Sequence, residues 1–187
     1  MSGVGPEVTG IPLPTITVLG VGNPIMGDDG IGLELMALLQ QERPDPRVEY
    51  IDGGTGGMEL LPVVQDAARL LILDAIAGTE PGVVVQLEGD QLPRMLSSKL
   101  SPHQVGLLDV FAAARLLGTE PALAHVVGVV PESVDLRIGL SASVVAAMPQ
   151  AVAAAVVVLD LWLAALPDAH ELLHAHEVTD ALEVAQS

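Results

Sequence analysis

Short apolar runs alternate along this chain with longer stretches in which apolar residues recur every three or four positions. Residues 15–19, Thr-Ile-Thr-Val-Leu, are β-branched or apolar and stop at Gly20, which predicts a buried strand. Residues 31–41 follow with helical spacing, and Leu33, Met36, Ala37 and Leu39 mark the expected inner side. The alternation then repeats: a strand at 48–51, a helix at 58–68, a strand at 70–73 ending in Asp74, a strand at 82–87, an Ala- and Leu-rich helix at 104–117 and a strand at 124–130. A last long helix is expected over 142–166, kinked or started at Pro149. Near-continuous apolar strands separated by helices predict one α/β domain, a mostly parallel twisted sheet of about five strands with helices on both faces. The link from Asp74 to residue 82 is too short for a helical crossover, so strand 82–87 is expected to pair antiparallel at an edge.

Composition sharpens the picture at the ends and on the surface. Residues 1–14 carry Gly3, Gly5, Pro6, Pro12 and Pro14 and read as a flexible arm; the domain is expected over 15–166, and 167–187 is an acidic tail. The first residues lack the basic and apolar regions of a signal peptide. The apolar run 151–159 ends at Asp160, far short of the roughly 20 residues that span a bilayer, so it reads as a buried helix and no membrane insertion is expected. With 24 acidic and 7 basic residues the net charge is −17, the wrong sign for a nucleic-acid partner, whose phosphates require Lys and Arg. Cysteine is absent, which excludes thiolate catalysis and disulfides and fits a reducing cytoplasm.

Candidate chemistry collects where a parallel sheet places it, beyond the carboxyl ends of its strands. Three successive strands run into acidic loops, at Asp28/Asp29, Asp52 and Asp74. Gly20-Val-Gly22 hints at a dinucleotide fingerprint, but the third glycine position holds Ile25, and Asp28 and Asp29 would repel a pyrophosphate at the helix start. One of these two aspartates suffices to cap the helix, which leaves the other to face the cleft. Asp52-Gly-Gly-Thr-Gly-Gly57 is either a pliable connection or a place where backbone must approach a ligand closely. Asp74 either caps a turn or points into the cleft. His103 stands ahead of a helix in Ser101-Pro-His-Gln104. Two carboxylates and an imidazole suit a divalent ion such as zinc or nickel, although their separation in the chain is no local ligand motif. In the tail, His170 and His174 share a helix face without forming a His-Glu-x-x-His motif, and they read as part of a solvated extension.

Five segments in order carry a resemblance: Gly20-Val-Gly-Asn-Pro-Ile-Met-Gly-Asp-Asp-Gly-Ile-Gly32, Asp52-Gly-Gly-Thr-Gly-Gly-Met-Glu-Leu60, Ile72-Leu-Asp-Ala75, Ser101-Pro-His-Gln104 and Gly128-Val-Val-Pro-Glu-Ser133. Across about residues 15–166 the chain resembles the hydrogenase maturation endopeptidases, most closely the branch serving uptake-type nickel–iron hydrogenases. The resemblance implies a protease that cuts a C-terminal extension from the hydrogenase large-subunit precursor after nickel insertion. It maps the family's metal-contacting residues onto Asp29, Asp74 and His103, which would be both nickel ligands and the catalytic set. The first of these is often Glu in the family, so Asp29 reaches one methylene less far. Asp52, Gly53, Gly54, Thr55 and Gly56 are the expected substrate-binding residues, with Asp52 and Asp28 as secondary catalytic candidates. The nickel is expected to be that carried by the precursor, and the protein to act as a cytoplasmic monomer. A metalloprotease, an aspartic-type mechanism and nickel as a recognition tag all remain open, as does the alternative of a non-proteolytic nickel carrier.

Overall fold

In the computed structural model, which describes residues 16–89 and 102–167, the apolar runs form one five-stranded sheet. Its strands are β1 (Ile16–Val21), β2 (Val48–Gly54), β3 (Arg69–Ala75), β4 (Val84–Glu88) and β5 (Leu123–Val129). Their order is β2-β1-β3-β5-β4; the first four are parallel, and β4 runs antiparallel to β5 at the edge. Four α-helices are described: α1 (Ile31–Glu42), α2 (Leu61–Asp66), α3 (Pro102–Leu117) and α4 (Ala142–Ala164).

Side chains alternate across the sheet and so divide the core in two. Val18, Leu71, Leu73, Val127 and Val129 face α1 and α4, whereas Leu19, Val21, Leu70, Ile72 and Val126 face the side of α2 and α3. Helix α4 is long and apolar enough to cross a membrane, yet it lies on the sheet. Its buried residues Val144, Ala147, Ala151, Ala155, Val158 and Trp162 recur at helical spacing, as a core-facing stripe must. Ser141 caps it by accepting the Val144 N–H at 3.4 Å, and the helix runs through the exposed Pro149 rather than starting there.

Several elements differ from the sequence pattern. On α1 the fully buried stripe is Ile31, Leu35 and Leu39, while Leu33, Met36 and Ala37 are half-buried. That helix is apolar around most of its circumference, so periodicity left its rotation open and contact with the sheet set it. Region 58–68 is a single 3-10 turn, Met58–Leu60, followed by the six-residue α2 with Pro62 in its first turn, where the missing N–H does no harm. Strand β2 continues through Gly53 and Gly54, because the Gly54 carbonyl accepts the Gly22 N–H at 2.8 Å beyond the end of β1. The N-terminal arm and the tail from residue 168, with its histidines, lie outside the described residues.

The topology reverses at β1. From it the chain passes through α1 to β2 on one side, and β3 then takes the other side. The crevice at a parallel sheet's switch point therefore opens beyond the carboxyl ends of β1 and β3.

Candidate functional site

The loop leaving β1 and the end of β3 meet at that crevice. Gly32 is wedged between them: a Cβ there would stand 2.2 Å from both the Val21 and the Leu73 carbonyl oxygens. This contact seats the turn Gly27–Gly30, which carries Asp28 and Asp29, against β3 one residue from Asp74. Asp29 is 2% exposed and Asp74 fully buried. The Asp29 Oδ2 accepts the Asn23 N–H at 3.1 Å, and the Asp74 Oδ1 accepts the Ala75 N–H at 2.7 Å. Burying two carboxylates costs free energy that apolar residues at the same positions would not.

Strand alternation assigns Asp74 a face. Leu70 and Ile72 belong to the core on the side of α2 and α3, and Asp74 shares their parity. Helix α3 carries His103 in its first turn, two residues earlier than the sequence pattern had the helix begin. A short connection joins the end of α3 to the start of β5, so the other end of this sixteen-residue helix, about 24 Å away, lies toward the carboxyl edge of the sheet. There Gly106 passes the glycine-rich loop so closely that a Cβ on it would stand 3.0 Å from the Gly57 Cα. The helix start that bears His103 and the loop bearing Asp52 to Gly57 are thus neighbours. The His103 side chain lies outside the described residues; among the described ones, no group of three His, Cys, Asp or Glu side chains is placed to hold a metal ion.

Within the glycine-rich loop the exposed Asp52 accepts the Gly54 N–H at 2.9 Å, which stabilises a turn at Gly54 with φ +48°. Gly53 and Gly56 are in close packing: a Cβ at Gly53 would meet Leu19 at 2.8 Å, and one at Gly56 would meet the Gly53 carbonyl oxygen at 2.9 Å. Thr55 is exposed at the tip.

Asp28 has a different role from the one its position suggests. No side chain caps the turn or α1. Instead the fully buried Asp28 carboxylate accepts the Ser141 N–H at 2.5 Å, the Ser141 hydroxyl at 2.8 Å, and the N–H groups of Glu132 and Ser133 at 2.9 and 3.2 Å. Burial pushes its pKa up, but these hydrogen bonds outweigh it and hold the carboxyl below its ordinary value. Arg137 adds a guanidinium nitrogen at 3.6 Å. The loop 131–141 is thereby clamped over the first loop. Sequence reasoning picked out Pro131-Glu-Ser133 as a motif without finding this function, and Ser141 carried no local signal at all.

Comparison with known proteins gives a consistent result. The family described as hydrogenase maturation protease matches residues 33–158. The hydrogenase 2 maturation protease of Escherichia coli K12 is 42% identical over 132 residues, covering 69% of this chain and 80% of that protein. The hydrogenase expression/formation protein HupD of Rhizobium leguminosarum bv. viciae is 36% identical over 155 residues, 81% of this chain and 77% of its own length. Among solved structures, the hydrogenase maturating endopeptidase HybD from Escherichia coli superposes with a TM-score of 0.73 at 38% identity, covering 78% of this chain and 92% of that one. The nickel–iron hydrogenase maturation protease HybD from Thermococcus kodakarensis gives 0.61 at 29% identity, with 75% and 96% covered.

Proposed function

The chain belongs to the hydrogenase maturation protease family, and on that footing we propose that it removes a C-terminal extension from a nickel–iron hydrogenase large-subunit precursor once nickel has been inserted. In this reading Asp29, Asp74 and His103 grip the nickel that the precursor carries and so set the scissile peptide beside the cleft. The observation that supports the proposal is that two buried aspartates, Asp29 on the Gly27–Gly30 turn and Asp74 on β3, lie on elements that pack against each other at the switch point of the sheet. Two carboxylates and an imidazole form an oxygen and nitrogen donor set suited to a borderline divalent ion. The glycine-rich loop, with Asp52, Gly53, Gly54, Thr55 and Gly56, receives the extended peptide at its exposed Asp52 and Thr55, while Gly53 and Gly56 let it pack closely on the sheet.

Peptide hydrolysis needs an activated water and donors for the tetrahedral oxyanion. Asp29 or Asp74 serves as general base, and the precursor's nickel polarises the peptide or the water. The reaction takes place in the cytoplasm, with the protease as a monomer.

Intact-mass analysis of the cognate precursor, with and without nickel, tests this. Nickel-loaded precursor should lose a C-terminal fragment and nickel-free precursor should not. His103→Ala should abolish the cut while the melting temperature stays put. Equal cleavage of both precursor forms would rule out recognition through nickel; nickel binding by the protein with no mass loss would favour a carrier instead.

A further inference from the structure

We propose that Ile25, Leu136 and Ile138 form a docking face for the large-subunit precursor beside the cleft, an inference that rests on the function proposed above. The loop 131–141 joins the first loop at a single bridge: Met26 pairs with Arg137 in parallel, the Ile25 carbonyl accepts the Arg137 N–H at 3.0 Å, and the Arg137 carbonyl accepts the Gly27 N–H at 2.7 Å. Ile25, Leu136 and Ile138 are the immediate chain neighbours of this bridging pair, Ile25 in a turn and the other two in bends. The Arg137 side chain is itself engaged, its guanidinium reaching Asp28 at 3.6 Å. Ile25 is 53% exposed, Leu136 78% and Ile138 88%. Single exposed aliphatic residues are ordinary on a protein surface. Three around one bridge, where the 131–141 loop is held by four hydrogen bonds to a buried carboxylate, form a patch, and such patches mark interaction sites.

The position selects the occupant. Ile25 lies in the same loop as Asp29, so the face is continuous with the rim of the crevice where the precursor's C-terminal segment is proposed to enter. A second copy of this chain fits poorly. Three aliphatic side chains supply at most a few hundred Å², below the roughly 800 Å² per partner of a stable dimer. A precursor whose terminal segment already occupies the cleft supplies the remaining contact, and the patch then orients its body against the protease.

The test measures affinity, which needs no cleavage. Full-length Leu136→Ser/Ile138→Ser protein should bind the purified nickel-loaded precursor about tenfold more weakly than wild type in calorimetry, with its melting temperature within about 2 °C, because the exchanged side chains pack little. The apolar exchange Leu136→Met/Ile138→Leu should restore wild-type affinity. Unchanged affinity of the serine variant would overturn the docking face. So would a wild-type dimer in gel filtration that the serine variant turns into a monomer, since the face would then belong to self-association. Wild-type protein that binds the precursor without cutting it would count against the proposed protease function and leave the affinity comparison decisive for the docking face.

Discussion

Asp28 and Ser141 are 113 residues apart in the chain and hydrogen-bonded twice, through the Ser141 N–H at 2.5 Å and its hydroxyl at 2.8 Å. Ser141 also caps α4 and contacts the Ser143 hydroxyl at 3.0 Å, which in turn donates to Glu132 at 2.6 Å. One buried carboxylate thus ties the first loop, the 131–141 loop and the start of the last helix into a single unit. Asp29 is the next residue, so the position of a proposed ligand depends on this knot.

Replacing Asp28 by Ala strands the N–H groups of Glu132, Ser133 and Ser141 without their acceptor. The expected loss is about 3 kcal/mol of unfolding free energy, measured by urea denaturation, with Asp28→Asn losing less because one acceptor oxygen survives. An Asp28→Ala protein as stable as wild type would show that the knot contributes nothing.

The same carboxylate sets an acid limit. Its pKa is lower in the folded chain than the ordinary 3.8, so the folded state binds the proton less readily than the unfolded one. The stability it contributes is complete above about pH 4 and is lost as pH falls through the folded value. Asp45, lowered chiefly by its hydrogen bond from Arg47, acts in the same window. Melting temperatures recorded between pH 3 and 6 should drop steeply at the acid end for wild type, and less steeply for Asp28→Asn.

A second pH dependence lies near neutrality. His125 is buried at the β4–β5 edge, with its ring nitrogens 3.2 Å from Gln86 and 3.3 Å from Glu88. Burial pushes its pKa below 6.5, and the Glu88 charge only partly opposes this. The unfolded chain therefore takes up the proton first, and stability declines as pH falls below about 6.5. His125→Gln should flatten the stability profile between pH 7 and 5; an unchanged slope would assign it to other groups.

Gly32→Ala is expected to be among the most damaging exchanges available. Its methyl group would stand 2.2 Å from two carbonyl oxygens, which are backbone and cannot rotate away. The strain should cost about 3 kcal/mol and push the first loop off β3, so residual cleavage in the folded fraction should also fall. Chemical denaturation and a precursor cleavage assay read the two effects separately.

Asp74→Asn should keep the hydrogen bond from the Ala75 N–H, since the amide oxygen can replace the carboxylate oxygen, and so keep the fold. Cleavage of nickel-loaded precursor should fall by about a hundredfold or more if Asp74 is a base or ligand. Wild-type turnover would remove Asp74 from the proposed site.

The strands and the antiparallel edge were legible in the sequence because each is a local pattern, although Asp52 and Asp74, read as lying just past their strands, are inside β2 and β3. An apolar run long enough for a strand needs no knowledge of its neighbours. A link too short for a crossover likewise excludes a parallel partner from length alone. The rotation of α1, the wedge at Gly32 and the role of Asp28 were not legible. Asp28 looked like a helix cap because Asp at a helix start usually is one, yet its donors lie 104 to 113 residues downstream. The sequence by itself determined which strands form and roughly where their carboxylates fall, since hydrophobic period and chain length act over a few residues. Only the tertiary structure decided that the carboxylate of Asp28 ties the fold together, because its hydrogen-bond donors are brought to it by folding from more than a hundred residues downstream.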